Sequence, residues 1–356
     1  MSKNRKNKLR VGIIGLGAIG TVHANAYSAV PEADISTICD ISEGRLTDIG
    51  NKHNVNGRFK DYRDLLKTDI EAVSICVGNA LHHKVALAAL KAGKHILLEK
   101  PMTMNAAEAV DIIKAGKKAK KVIQIGMVRR QFKAIKVVRD YINKGLFGDI
   151  YHMRAILIRR RGIPGLGGWF TTKSAAGGGP LIDIGVHYFD AAMHMSGLWK
   201  PTHVSAMNYA KFGKNMRNYR YVGMWAGPPK FDGVCDVEDY SAGLVRFGRK
   251  ASMIFEIAWA ANKEETSFIE ILGDKGGARL FDGKPLTIYT ENNGMIANIT
   301  PMIENSDRSY QSQAEIFINA CRGKCQPAAT GEEGLTVMKL IDAVYASGKS
   351  GREVAI

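Results

Sequence analysis

Three glycines and one aspartate near the start of the chain have a spacing suited to a phosphate-bearing ligand. Gly15, Gly17 and Gly20 follow the apolar run 11–14, and Asp40 ends a second apolar run. Gly15 permits a tight turn, Gly17 lets the backbone approach a pyrophosphate, and Gly20 lets a helix pack closely on the strand. The unpaired N–H groups of that helix favour an anion. The pattern predicts a dinucleotide site.

The charge beside the adenosine ribose indicates which dinucleotide is bound. The Asp40 carboxylate can accept both ribose hydroxyls and would repel a 2′-phosphate, so NAD is favoured over NADP. Arg45 follows five residues later, and it is either a contact for a 2′-phosphate or a solvated arginine on the next helix. Ala18 and Ile19, inside the glycine turn, are also expected to contact the cofactor.

A second set of residues has the chemistry needed to oxidise an alcohol. Lys100 ends an apolar run and precedes Pro101, which favours an extended backbone there. Asp183 and His187 lie four residues apart, on one face of a helix expected to begin near Pro180. Histidine, with an unperturbed pKa of about 6.5, can take a hydroxyl proton while hydride leaves carbon for a nicotinamide. Asp183 would orient that imidazole, and the lysine ammonium would stabilise the alkoxide.

The Asp183–His187 pair also has a plainer interpretation. Taken alone, two such residues at this spacing are equally well explained as a surface pair or as a helix cap. Their occurrence with Lys100 and a dinucleotide turn favours the catalytic interpretation.

Alternating strands and helices carry the glycine turn and Lys100. Apolar runs predict strands at 11–14, 34–39, 72–77, 95–98 and 122–125, with helices at 42–52, 83–92 and 105–118. This alternation is typical of a parallel sheet covered on both faces, with ligands outside the carboxyl ends of its strands. It predicts an α/β Rossmann domain over residues 1–127.

The pattern changes after residue 127. A helix at 134–144 precedes strand-like runs at 150–158, 203–209, 241–247, 251–259, 267–272 and 278–281, and helices follow at 311–321 and 332–347. Successive strands separated by glycine turns favour an antiparallel sheet. Residues 128–356 are therefore expected to form an α+β domain with a large, mostly antiparallel open sheet.

Composition excludes several classes of protein. The chain has 356 residues, 46% of them hydrophobic, and no apolar stretch approaches the roughly 20 residues that cross a bilayer. Five scattered cysteines indicate reduced thiols in a cytoplasmic protein, and Cys321 and Cys325 lack the second ligand pair of a metal site.

The net charge of +16 is spread along the chain, with clusters at 3–10, 114–121 and 159–161. No motif for specific nucleic-acid recognition accompanies it.

Several segments, in order, resemble the Gfo/Idh/MocA family of NAD(P)-dependent sugar and polyol oxidoreductases. They are the glycine turn, Asn79-Ala80-Leu81-His82, Ala92-Gly93-Lys94-His95 leading into Glu99-Lys100-Pro101, Gly145-Leu146-Phe147-Gly148, and the GGGxxxDxGxH pattern at 177–187. The resemblance implies that Lys100, Asp183 and His187 are the catalytic set, and that the second domain's open sheet makes homo-oligomer contacts. Asn79, His82 and Glu99 are then further cofactor-binding candidates.

The segment 159–170 is the expected substrate wall. Arg159 can hold hydroxyls or an acidic group, and Trp169 either stacks on a sugar ring or packs in the core. Trp225 is a similar candidate in a later loop. The favoured prediction is NAD-linked oxidation of a ring hydroxyl in a sugar, glycoside or inositol, with C3 of a pyranoside as the best match.

Two other functions remain open at this stage. An NAD-dependent glycosidase would act through transient C3 oxidation and elimination, with no net redox change. A non-enzymatic regulator would use the same fold to sense NAD.

Overall fold

The computed structural model describes residues 8–281, 283–303 and 308–356. The described residues form two compact units, the first containing those up to Gln131 together with 308–335, and the second containing the others. Most of the basic cluster at 3–10 lies outside the described residues. Within them, no helix combines the length and apolar character needed to cross a membrane. The five cysteines form no disulfide.

The first unit is built on a six-stranded parallel sheet. Its strands are β1 Leu9–Ile14, β2 Ala33–Cys39, β3 Gly57–Phe59, β4 Ala72–Ile75, β5 His95–Leu98 and β6 Ile123–Ile125, in the order β3-β2-β1-β4-β5-β6. The strand order reverses direction at β1 and β4, where ligands bind in sheets of this kind. The predicted α/β Rossmann fold is confirmed. Strand β3 was not predicted, because its three residues are half-buried or exposed and form no apolar run.

Helices cover both faces of this sheet. They are α1 Ala18–Ser28, α2 Glu43–Lys52, α3 Tyr62–Leu66, α4 His82–Lys91, α5 Ala106–Ala119 and, much later in the chain, α9 Ser309–Cys321. Asn105 caps α5, since its side chain accepts the Glu108 N–H at 3.0 Å. Gly93, just after α4, has a φ of +73°, a conformation that glycine adopts without strain.

Residues 308–335 belong to the first unit, whereas the sequence predicts that everything after residue 127 lies in the second domain. Phe317 and Ile318 of α9 belong to one hydrophobic cluster with Val11, Ile13 and Tyr27. The amide of Gln124 also donates to the Gln313 carbonyl at 3.0 Å. The sequence pattern predicts where each strand or helix lies in the chain, but not which other elements it packs against. Helix α9 was therefore predicted to belong to the same domain as the elements next to it in the chain.

The second unit is built on a nine-stranded sheet. Its strands are β7 Ile150–Ile158, β8 His203–Tyr209, β9 Tyr240–Phe247, β10 Ala251–Ala258, β11 Thr266–Gly273, β12 Gly276–Phe281, β13 Thr287–Asn292, β14 Met295–Ile299 and β15 Val354–Ala355. The order is β14-β13-β12-β11-β7-β10-β9-β8-β15, and only the β7–β10 pairing is parallel. The predicted mostly antiparallel sheet is confirmed. Strands β13 to β15 were missed because they are short and largely exposed.

Helices pack on one face of this sheet. They are α6 Lys133–Asn143, α7 Lys173–Ala176, α8 Val186–Ser196 and α10 Gly331–Ser350, whose last fifteen residues belong to this unit. A five-residue π-helix, Leu181–Gly185, leads directly into α8. Helix α8 is buried along most of its length, and its Phe189 meets Phe255 of β10 edge-to-face with ring centroids 5.1 Å apart. The helix that begins near Pro180 is thus anchored rigidly on the sheet.

Candidate active site

The glycine turn between β1 and α1 is shaped by backbone contacts that exclude side chains. A Cβ on Gly20 would lie 1.9 Å from the Gly15 carbonyl oxygen, and one on Gly15, whose φ is +90°, would lie 2.5 Å from the Cys76 carbonyl oxygen. A Cβ on Gly17 would meet nothing within 4 Å. Gly15 and Gly20 therefore close the turn, whereas Gly17 leaves open space in front of the helix.

That open space is suited to a pyrophosphate. Gly17 is the N-cap of α1, and no side chain caps the helix. The unpaired N–H groups at this end and the helix dipole favour an anion. Ala18 is exposed and Ile19 half-buried in the first turn of α1. The residues present fit the phosphates of a dinucleotide.

Asp40 follows β2 and binds the glycine turn directly. Its Oδ2 accepts the Leu16 N–H at 2.7 Å, and its Oδ1 accepts the Ser42 N–H at 2.8 Å. A carboxylate has about four acceptor positions, so room for a ribose hydroxyl remains. The Arg45 guanidinium lies 3.7 Å from Asp40 Oδ2 with 56% of its side chain exposed. Arg45 is therefore paired with Asp40, the carboxylate that is expected to repel a 2′-phosphate.

His82 links two loops at the carboxyl edge of the sheet. Its Nδ1 lies 2.7 Å from the Pro101 carbonyl oxygen and its Nε2 lies 3.0 Å from that of Val77. Burial lowers the pKa of this imidazole. Asn79 is buried nearby in a single 3₁₀ turn, 79–81. Because both ring nitrogens face backbone carbonyls, His82 positions these loops, and its contact with the cofactor stays a prediction.

Beneath Lys100 lies a buried polar network that sequence reasoning missed. The Glu99 Oε1 pairs with His23 Nε2 at 2.9 Å, and the other His23 nitrogen lies 3.1 Å from Ser74 Oγ. The Tyr27 hydroxyl also contacts Ser74 Oγ, at 2.8 Å. Burial alone would lower the pKa of His23, but its contacts with Cys76 and Glu99 raise it to about 10. His23 is therefore a cation paired with Glu99 at neutral pH.

Lys100 is positioned by this network. Glu99 Oε2 accepts the backbone N–H of Lys100 at 3.1 Å, and the peptide bond to Pro101 is cis. The Lys100 side chain is half-buried at the end of β5, whereas Glu99 is only 5% exposed. Glu99 thus holds the backbone of the lysine that follows it, and its contact with the cofactor stays a prediction.

In the second unit, Asp183 and His187 lie at the junction of the π-helix and α8. Asp183 is within the π-helix, where the Val186 N–H reaches the carbonyl of Leu181 five residues earlier. His187 is in the first turn of α8, and both side chains are half-buried. The helix expected to begin near Pro180 is present, but its first turn is π-helical rather than α-helical. Single π-helical turns frequently occur at functional sites.

Two further residues hold this turn. The buried Glu238 carboxylate accepts the N–H groups of Gly179 at 3.0 Å and Leu181 at 3.2 Å, and burial raises its pKa. The indole N–H of Trp259, itself fully buried, donates to Asp183 Oδ2 at 3.3 Å. These contacts fix the start of the π-helix and one oxygen of Asp183. No sequence motif connects Glu238 or Trp259 to the helix, because both reach it only through the fold.

Arg159 and Trp169 lie after β7, in the same unit as Asp183 and His187. Arg159 is half-buried, and its side chain lies against Gly162. Trp169 begins a 3₁₀ turn with 45% of its side chain exposed. The alternative that Trp169 packs in the core is therefore wrong. Lys100 belongs to the first unit and the other four residues to the second.

The sheet order, the open glycine turn and the acid after β2 define a dinucleotide-binding oxidoreductase. The family model described as an oxidoreductase family with an NAD-binding Rossmann fold matches residues 9–127. The GFO/IDH/MocA C-terminal domain model matches residues 135–279. The chain belongs to the Gfo/Idh/MocA family, and it is an NAD-dependent oxidoreductase of the sugar and polyol class.

Two relatives and one solved structure illustrate the similarity. The chain is 32% identical over 352 residues to the D-glucoside 3-dehydrogenase of Escherichia coli strain K12, covering 98% of this chain and 97% of that one. It is 26% identical over 351 residues to the myo-inositol 2-dehydrogenase of Thermotoga maritima, covering 97% of both. Levoglucosan dehydrogenase in complex with NADH has the same fold, with a TM-score of 0.86 at 22% identity over 98% of this chain and 99% of that one.

Two glycine substitutions should separate cofactor binding from folding. Gly17→Ala places a methyl group in the open space, and we expect the Kd for NADH, measured by fluorescence titration, to rise about tenfold, which is ~1.4 kcal/mol. Its thermal midpoint should stay near that of the parent. Gly20→Ala forces a Cβ against a backbone carbonyl and should cost about 2 kcal/mol of unfolding free energy or more. Unchanged NADH affinity in Gly17→Ala would contradict the assignment.

The His23–Glu99 pair predicts a pH-dependent contribution to stability. Because folding raises the pKa of His23 from 6.5 to about 10, its stabilisation is complete below pH 6.5 and is lost as the pH rises through about 10. At pH 7, His23→Gln should lower the unfolding free energy by about 3 kcal/mol or more, since it strands a buried carboxylate. The difference from the parent should shrink between pH 7 and pH 10 in urea titrations. The exposed His203→Gln is the control, and a pH-independent difference for His23→Gln would refute the charged pair.

Proposed function

We propose that this protein oxidises a ring secondary hydroxyl of a sugar or glycoside with NAD, at C3 of a pyranoside. The observation that carries the proposal is the similarity along 98% of the chain to a D-glucoside 3-dehydrogenase. The proposal also has a chemical basis, because Glu99 holds the Lys100 backbone and Trp259 and Glu238 hold the turn that contains Asp183. A sugar, glycoside or inositol is the class of substrate that fits the named relatives.

The proposed roles of the residues follow from their chemistry. NAD, when bound, accepts the hydride that leaves the ring carbon. His187 takes the hydroxyl proton as general base, and Asp183, held by the Trp259 indole at 3.3 Å, keeps the imidazole oriented. The Lys100 ammonium donates to the reacting oxygen as its negative charge develops. The alcohol becomes a ketone, and one proton is released. Arg159 and Trp169 are the proposed substrate contacts.

Glycoside cleavage without net redox change is less well supported. The named relatives are dehydrogenases, and no contact in the described residues favours elimination over simple oxidation. We therefore propose net NADH formation as the outcome of turnover.

Replacing Lys100 should test the proposed chemistry. Lys100→Met keeps the length of the side chain but removes the ammonium, so we expect kcat to fall by about 10³-fold while NADH still binds. NADH absorbance is followed with glucose, methyl glucoside and myo-inositol, each with NAD and with NADP. Lys91→Met, on the exposed side of α4, is the matched control. A fully active Lys100→Met enzyme would exclude this lysine from the reaction.

The open face of the nine-stranded sheet is the proposed homo-oligomer surface. The strand registers place Met207, Ile254 and Tyr289 on one face, where each is 38–45% exposed. The same face carries Arg154, which pairs with Glu270 at 3.0 Å. Apolar side chains exposed along a wide sheet are typical of a surface that a second copy covers.

A charge placed on this face should prevent assembly. Ile254→Glu would bury a carboxylate in the proposed interface, so light scattering should report a smaller particle than the parent. Lys91→Glu, on the exposed side of α4 in the first unit, is the control for a changed charge outside this face. A parent protein that is already monomeric, or an unchanged mass for Ile254→Glu, would refute this surface.

A further inference from the structure

Three aromatic side chains of the second unit form one continuous exposed surface, the aromatic platform, made of Trp169, Phe170 and Trp225. The rings of Trp169 and Phe170 are 3.8 Å apart between centroids at an interplanar angle of 31°, and Phe170 meets Trp225 edge-to-face at 4.9 Å. Trp169 is 45% exposed and Trp225 is 64% exposed. Two indoles thus remain accessible on either side of a half-buried phenyl ring.

The loops that carry the platform are locked together by their backbones. The N–H of Lys230 donates to the Leu166 carbonyl at 2.8 Å. A Cβ on Gly167, whose φ is +75°, would lie 1.9 Å from the Lys230 carbonyl oxygen, and one on Gly165 would lie 2.8 Å from that of Ala226. The chain thus holds these aromatic residues on rigid loops, which lowers the entropy that a ligand must overcome.

The same support extends to the catalytic turn. The buried Thr171 hydroxyl donates to the Val234 carbonyl at 2.8 Å, and the Asp236 carboxylate accepts the Lys173 N–H at 2.6 Å. Two residues later, Glu238 holds the start of the π-helix that contains Asp183. Hydrogen bonds within the second unit therefore connect the loops of the platform with the segment that leads into the π-helix.

The charge of the loop that carries Trp225 indicates the chemistry of the ligand. Residues 211–234 contain five basic side chains and a single acidic one, Asp232. The basic residues, all exposed, are Lys211, Lys214, Arg217, Arg220 and Lys230. A rigid aromatic surface beside such a loop suits a planar ring that carries a negative charge, because stacking and Coulomb attraction then act together.

We propose that the aromatic platform is an aglycone subsite, which binds the aromatic, negatively charged aglycone of a glycoside while its sugar is oxidised. This inference rests on the proposed function, since it assumes that the substrate is a glycoside. Ring stacking on Trp225 strengthens the binding of such substrates and lowers their KM. Methyl glycosides have no ring to place there.

The test compares 4-carboxyphenyl glucoside with methyl glucoside. In the parent protein we expect a kcat/KM ratio of at least ten in favour of the aryl substrate, and Trp225→Ala should reduce that ratio about tenfold, mainly through KM. Trp225→Phe should restore part of it. Tyr221→Ala is the matched control, because Tyr221 lies in the same loop as Trp225, is 41% exposed and stacks on Tyr219, which is not one of the platform's rings. Its ratio should equal that of the parent.

Calorimetric titration of 4-carboxyphenyl glucoside without NAD gives a readout that does not need turnover. We expect Trp225→Ala to weaken this binding about tenfold and Tyr221→Ala to leave it unchanged. Equal kcat/KM values for both substrates, or binding insensitive to Trp225→Ala, would overturn the subsite while the oxidation of methyl glucoside still stands. Aryl binding that depends on Trp225 without oxidation of any carbohydrate would overturn the proposed function instead. A smaller particle mass for Trp225→Ala would make the platform a contact between copies and also overturn the subsite.

Discussion

The close backbone approach in the glycine turn is the constraint on which the first unit depends. With no Cβ on Gly20, the first turn of α1 lies directly against the Gly15 carbonyl, so the helix N-terminus faces the carboxyl ends of β1 and β4. Asp40 then binds the turn through the Leu16 N–H at 2.7 Å. One carboxylate thus connects the end of β2 with the turn, and we propose that its negative charge selects against a 2′-phosphate. The NAD-binding family match agrees with this arrangement.

Both units position their proposed catalytic side chains through buried carboxylates. In the first, Glu99 is paired with His23 and holds the Lys100 backbone. In the second, Glu238 accepts two N–H groups at the start of the π-helix and the Tyr345 hydroxyl at 3.0 Å. A buried carboxylate with its acceptors satisfied is a rigid support, because any displacement would leave a charge unpaired. The half-buried Lys100, Asp183 and His187 thus rest on residues that are themselves fixed.

Much of this molecule was predictable from sequence because it depends on local patterns. The glycine turn, the α/β alternation and the strands β7 to β12 follow from spacing and periodicity. The π-helical turn at Asp183 was not predictable, since its composition is also that of an ordinary helix. His23 and Glu238 were missed because their partners, Glu99 and Leu181, lie far away in the chain. Helix α9 likewise packs against residues that are far away in the chain. Its hydrophobic face alone does not indicate which unit it packs on.

In the reaction that we propose, hydride leaves C3 of a glycoside and is transferred to NAD. Methyl glucoside deuterated at C3 tests this transfer when both products are followed by NMR. We expect one deuterated NADH for each 3-keto glycoside formed, together with a slower rate than with the undeuterated sugar. NADH without deuterium, or release of methanol and glucose with no NADH formed, would contradict it.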